Sequence, residues 1–299
     1  MVETARRTVT LVGAGQTVKL RFGDDHTGFN LMADVEGLGA STVETHTTPK
    51  WFGGDHLDHM RAESGEIFLP VHVRGHDPGH VRRLHQTLRE VLSPADGWVT
   101  VTVHDPVTGV SRERRAVYKS GLETPGWETP VSMTLGVTVQ FLEPRAFGTA
   151  WEDTTITVAP TMRASAGWTF PNIFDPSIAG TGDPRAGVLR NTGELSAPAK
   201  VTFFGPCENP RVWGDDFVAG YRGRLLWDER VTLDGLAVSA VHRAGSGRTR
   251  HVPGDLTRDT RLSKLVIPRG QTTLWFDATD TTGTSKVTVS FRETYRSLT

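Results

Sequence analysis

The 299-residue chain contains a single cysteine, Cys207. One thiol forms no intrachain disulfide and leaves no cysteine set for a structural zinc or an iron–sulfur cluster. A surplus of either charge is missing too: 33 Lys and Arg face 34 Asp and Glu, a formal net charge of -1. Proteins that draw their affinity mainly from phosphate neutralisation carry a basic excess, so recognition of nucleic acid by that route is disfavoured, although a local basic patch is not. No run approaches the ~18 apolar residues of a membrane-spanning helix. The segment Met1–Arg7 has no apolar core and no small-residue cleavage site, so no secretory signal is expected. These absences predict a soluble chain made in a reducing cytoplasm. What is plentiful is Gly (32) and Pro (17), which favours turns over helices, and Trp (8) and Phe (13), which can fill a core. The length suggests about two domains.

The strongest periodicity is two. From Val131 to Phe141, apolar Val131, Met133, Leu135, Val137, Val139 and Phe141 alternate with small or polar residues, predicting a strand with one buried face. Val99, Val101 and Val103 repeat the pattern; Asp105–Gly109 then supplies a turn into a returning strand over 113–119. Near the start, 9–12 and 17–22 flank Gly13-Ala14-Gly15-Gln16 as a hairpin. One helix stands out. Asp77 is a good N-cap, Pro78 suits the first turn, and Val81, Leu84, Leu88, Val91 and Leu92 fall on one face before Ser93-Pro94 stops the run.

Periodicity fades between 161 and 190, a stretch rich in Gly, Pro, Ser and Asp that reads as a linker. The first domain is therefore expected over 1–160 and the second over 191–299. In the second, strand-like runs recur at 199–204, 222–226, 231–241, 264–267, 273–276 and 286–291 at the spacing of a β-sandwich. The fold class is thus mainly β: a barrel or sandwich-like first domain with one helix, then a β-sandwich.

A search for chemistry nominates no catalytic, cofactor-binding or metal-binding residue, and no cofactor is expected. Gly13-Ala14-Gly15 looks like a dinucleotide loop, but Val18 replaces the third glycine and the following residues alternate like a strand. Asp55-His56-Leu57-Asp58-His59 holds four potential metal ligands, yet no helix is evident to present them, and a solvated loop is the simpler reading. His72, His76, His80 and His85 surround the helix start, where only His76 and His80 can meet across a turn. Gly-X-Ser-X-Gly is absent, and Gly245-Ser246-Gly247 reads as a turn. Cys207 at a strand end reads as inert. Arg112-Glu113-Arg114-Arg115 reads as an outward, solvated strand face.

The order of features resembles that of siphophage distal tail proteins. In the first half the matching elements are Gly65–Val73, the helix from Asp77, the Leu92–Gly97 link, Arg114–Tyr118, and Val137–Phe147 with its acidic-Pro-aromatic ending. In the second half they are Asn191–Gly193, Val201–Pro206, Leu265–Gly270 and Lys286–Tyr295. The likeness runs from about residue 30 onward, and its specificity lies in order and spacing. The basic, Gly-rich stretch His242–His251 departs from it.

This resemblance implies an N-terminal belt domain and a galectin-like C-terminal β-sandwich in a non-enzymatic virion protein. It implies a homo-oligomeric, six-fold ring at the tail tip, made in the host cytoplasm. Its partners would be copies of itself, the tail tube and tail hub proteins, and further the tape measure and receptor-binding proteins. Neither a membrane span nor nucleic-acid sequence recognition is implied. The hairpin Asp105–Gly109 and the arm Leu122–Trp127 are candidates for reaching a neighbouring subunit, against ordinary exposed hairpins. A carbohydrate-binding module or adhesin is the alternative, with Trp213, Trp227 and Trp275 as sugar platforms, although core packing is commoner for Trp. A hydrolase of wall glycan rests only on unassigned carboxylates.

Overall fold

The computed structural model describes residues 7–23, 27–123, 125–157, 186–280 and 282–299. The chain divides into two compact units, Met1–Thr149 with Thr294–Thr299, and Ala150–Glu293.

The first unit is built from β1 (Thr8–Gly13), β2 (Gln16–Phe22), β3 (Gly28–Leu31), β4 (Val43–Pro49), β5 (Asp55–Ala62), β6 (Gly65–Arg74), α1 (Pro78–Val91), β7 (Val99–His104), β8 (Ser111–Ser120), β9 (Gly126–Thr129), β10 (Ser132–Phe141) and β11 (Ala146–Gly148). The order β8-β7-β1-β2-β3-β6-β10 closes on itself because β10 pairs with both β6 and β8. The sheet is therefore a barrel, which removes most of the open edges that a flat sheet would expose. Among the described residues only β2 and β3 run parallel. The alternation in the sequence is realised directly: Met133, Leu135, Val137, Val139 and Phe141 of β10 are buried, as are Val99, Val101 and Val103 of β7.

Helix α1 starts and stops where its sequence signals lie. The Asp77 carboxylate accepts from the His80 amide at 2.8 Å, and that backbone bond is the main reason its pKa is lowered. Val81, Leu88 and Val91 are buried in the core shared with the barrel. Gly13, at the end of β1, lets the strand approach the last helical turn, because a Cβ there would lie 2.2 Å from the Val91 carbonyl oxygen. Leu88→Ala should cost about 2–5 kcal/mol, read as a lower denaturant midpoint at unchanged slope.

The second unit contains β12 (Glu152–Thr157), β13 (Ala186–Asn191), β14 (Ala197–Phe204), β15 (Cys207–Trp213), β16 (Val218–Gly220), β17 (Arg224–Leu225), β18 (Arg230–Asp234), β19 (Ser239–Arg243), β20 (Thr249–His251), β21 (Val266–Ile267), β22 (Gly270–Thr279) and β23 (Lys286–Phe291). One antiparallel sheet has the order β12-β23-β14-β18-β19-β20 and the other β13-β22-β15-β16. Their inner faces share one core in which Phe203 of the first sheet stacks on Phe276 of the second at 6.2 Å. This is the expected β-sandwich. The single strand expected over 231–241 is instead a hairpin. Asp234 accepts from the Leu236 and Ala237 amides and turns the chain between β18 and β19.

Cys207 is buried, and burial, helped by Asp280, pushes its thiol up to about 12. The thiol stays neutral in the folded chain, so a thiol reagent at about pH 8 should label it only through unfolding. Between about pH 9 and 12 the unfolded chain loses a proton that the folded chain keeps, so this group lowers stability as pH rises through that window. The denaturant midpoint of wild type should thus fall more steeply there than that of Cys207→Ala.

The domain ranges differ from those expected. β12 pairs along its whole length with β23, so 152–157 belong to the second unit. Of the expected linker 161–190, residues 161–185 lie outside the described residues and 186–190 form part of β13. At the far end, β24 (Thr294–Tyr295) pairs with β11 and returns the chain to the first unit.

That return explains a second correction. Arg114 does not sit on a solvated face; it is fully buried. In β8 the inward positions are 114 and 116, which puts the guanidinium inside, 4.1 Å from the Phe141 ring centroid. It donates from Nη2 to the carbonyls of Pro144 (2.9 Å) and Arg296 (3.4 Å). Arg112, two residues earlier in β8, lies over the Tyr295 ring.

Candidate assembly surface

Among the described residues β4 and β5 pair only with each other, as a ribbon apart from the barrel sheet. At the tip, the Lys50 amide donates to the Gly54 carbonyl and the Gly53 amide to the Lys50 carbonyl. Gly53 and Gly54 both have positive φ (95° and 74°), a conformation that glycine adopts without steric cost. Nearly every residue of the ribbon is exposed.

The register separates two faces. On one, Arg61 pairs with Glu44 at 3.1 Å, His46 stacks on His59 at 4.2 Å, and Thr48 donates to Asp58. On the other, Val43 lies opposite Ala62, Thr45 opposite Met60, and Thr47 opposite Leu57. Trp51 and Phe52 sit at the tip, edge-to-face at 5.4 Å, and are 94% and 69% exposed. A lone two-stranded ribbon is marginally stable in water. This one leaves an apolar face and two tip aromatics exposed, which makes it the candidate interaction surface of the first unit.

The expected solvated loop at Asp55–His59 is therefore β5. It escaped the period-two pattern because a bulge at Asp58 shifts the phase, leaving Leu57 and Met60 three residues apart. The other nominated segments fall elsewhere. Asp105–Gly109 is a tight turn, in which Asp105 accepts from the Val107 amide; Val107 is exposed but does not project on an arm. Leu122 and Glu123 are tied back to the barrel, since the Tyr118 hydroxyl donates to Glu123 and accepts from the Leu122 amide. Trp127 lies half-exposed on β9, the edge strand beside β10.

The remaining candidates are placed as follows. Gly13 ends β1 and Ala14-Gly15 is the β1–β2 turn, while Gly245–Gly247 lies in the β19–β20 turn. His76 and His80 do meet, rings 5.3 Å apart, while His72 is buried on β6 with Nε2 3.5 Å from Glu128. His85 lines a groove of about 750 Å³ beside α1; burial, then the Arg89 charge, lowers its pKa. None of the three nominated tryptophans is in the core. Trp213 and Trp275 are half-buried and directly opposed across β15 and β22, and Trp227 is exposed.

Solved structures share this architecture across nearly the whole chain. The SPP1 Dit (gp 19.1) protein, described as a paradigm of the hub adsorption apparatus in phages infecting Gram-positive hosts, aligns with a TM-score of 0.60 at 15% identity, covering 96% of this chain and 98% of that one. The chain has the Dit fold. The phage P2 baseplate in its activated conformation with Ca aligns with a TM-score of 0.59 at 9% identity, covering 96% of this chain and 98% of that one. The same baseplate with Sr gives 0.59 at 9%, covering 97% and 98%. No protein-family model and no curated protein sequence matches. The Dit-like architecture spans both units, the barrel with its helix and the sandwich.

Proposed function

We propose that this protein is a structural subunit of a phage tail tip, assembling as a six-fold ring that joins the tail tube to the tail hub and host-recognition apparatus, without catalytic turnover. The observation that carries this reading is the Dit fold over 96% of the chain, in both units. The β4–β5 ribbon supports it physically. A closed ring repeats one heterologous contact, and an arm with an uncovered apolar face supplies one side of such a contact. In this reading the barrel unit forms the belt, the sandwich unit is the galectin-like domain, and the protein resides in the virion. Light scattering of the full chain should give a mass several-fold above the protomer, and micrographs should show closed rings. A monomer at every concentration, or an antibody label that falls on capsids rather than tail tips, would overturn the proposal.

The opposed pair Trp213 and Trp275 supports a second reading, a sugar-binding face on the tail tip. It predicts that Trp275→Ala abolishes any signal of the full chain on a neutral-glycan array. An array without signal from wild type removes it.

A further inference from the structure

The outer face of the β12-β23-β14-β18-β19-β20 sheet carries charge in an order that the fold does not need. The ladder registers place Thr157, Lys286, Phe204, Arg230, Arg243 and Thr249 in one row across it. Arg230 and Arg243 are directly opposite each other and both exposed. Like charges in that position destabilise a sheet. Neither they nor Arg248 in the adjoining turn has an ion-pair partner among the described residues. The neighbouring acids are engaged or lie off the row: Glu229 faces His242, Asp234 faces Lys200, and Asp228 sits under the Gly245 turn. At the strand spacing of about 4.8 Å, Lys286 stands roughly 10 Å from Arg230, extending the positive strip across four strands. The next row begins with four threonines, Thr155, Thr288, Thr202 and Thr232, before Val241 and His251, with hydrogen bonds Thr155–Thr288 and Thr202–Thr232.

We propose that this face binds a linear phosphodiester polymer of polyol or sugar units, with Arg230, Arg243, Arg248 and Lys286 on successive phosphates and the threonine row on the hydroxyls between them. The chain as a whole is nearly neutral, so the attraction is local. The aromatic in the row, Phe204, already has the Lys286 ammonium 5.1 Å from its ring centroid. It is therefore a poor platform for stacked bases, which argues against single-stranded nucleic acid. The row also lacks the exposed aliphatic side chains that a protein partner would bury.

The test uses the full chain and poly(glycerol phosphate) in a binding titration at low and moderate salt. Wild type should bind, with affinity falling as salt rises. Arg243→Glu should weaken binding about tenfold or more, while Arg243→Lys stays within about threefold. Because Arg243→Glu replaces a like-charge pair by an opposite one, its thermal midpoint should equal or exceed that of wild type. Absence of binding, unchanged binding by Arg243→Glu, or a lowered midpoint in that variant would overturn the proposal. So would tighter binding of an oligonucleotide or of polyglutamate at matched charge.

Discussion

A chain carrying Trp51→Ala and Phe52→Ala should run as a monomer under conditions where wild type forms the proposed assembly, and should melt at the wild-type temperature. Both expectations follow from the same fact: these two side chains are the most exposed aromatics of the barrel unit and bury little within their own chain. Surface substitutions of that kind change stability by about 0.5 kcal/mol or less. At an interface the balance reverses. A buried aromatic anchor contributes about 2 kcal/mol or more, so removing two costs at least ~4 kcal/mol, roughly a thousandfold in association per contact. A ring repeats that loss at every contact, so closed assemblies vanish rather than thin out. Sedimentation of both proteins across a concentration series reads the outcome. An assembly that survives the double substitution places the subunit contact elsewhere, and Trp127 on the β9 edge is the next surface to alter.

The polar side of the ribbon supplies an internal control. Glu44→Ala breaks the pair with Arg61 and the contact with His46, all solvent-exposed. Such pairs contribute about 0–1 kcal/mol, so this variant should assemble like wild type. If it fails while the tip variant assembles, the polar face is the buried one.

What the sequence revealed about this fold depended on whether burial was periodic. α1 was legible from Asp77 to Leu92 because its cap, its apolar stripe and its proline stop agree. β10 was legible because one face is buried along its full length. The ribbon was not, because every position in β5 is exposed and the bulge at Asp58 removes the remaining alternation. β18 and β19 merged into one apparent strand because Leu236, Ala237 and Val238 continue the apolar run through the turn. Val238 adopts a φ of 49° there, which its residue type disguises. The unit boundary was displaced because composition marks where a chain lacks periodicity, whereas membership of a unit is decided by pairing. β12 and β24 pair with strands more than a hundred residues away in sequence. The Arg112–Arg115 run misled for a related reason. Charge predicts an outward face, but alternation in β8 turns one of its arginines inward whatever its charge.

That inward arginine carries the second large effect: Arg114→Ala should destabilise the barrel unit by about 3–5 kcal/mol. The guanidinium has no exposure and is held by two backbone carbonyls and the face of Phe141. Burial lowers its pKa to about 10, which still leaves it cationic at neutral pH. Truncation removes a large buried side chain and leaves the carbonyls of Pro144 and Arg296 without this donor. Arg114→Met separates the contributions. It refills much of the volume and removes a desolvated charge whose Nε and Nη1 have no hydrogen-bond partner among the described residues, but it restores neither carbonyl bond. It should cost about 1–2 kcal/mol. Arg115→Ala, on the exposed side of the same strand, should stay within about 0.5 kcal/mol. Because Arg114 holds the Arg296 carbonyl beside β24, amide exchange at Tyr295 and Leu298 should accelerate in both Arg114 variants and not in Arg115→Ala. Equal protection there in all three would mean that the C-terminal strand is held by its ladder with β11, the Leu298–Leu38 backbone bond and the Arg112 bonds to the Ser297 and Thr299 carbonyls, with the buried cation contributing only packing.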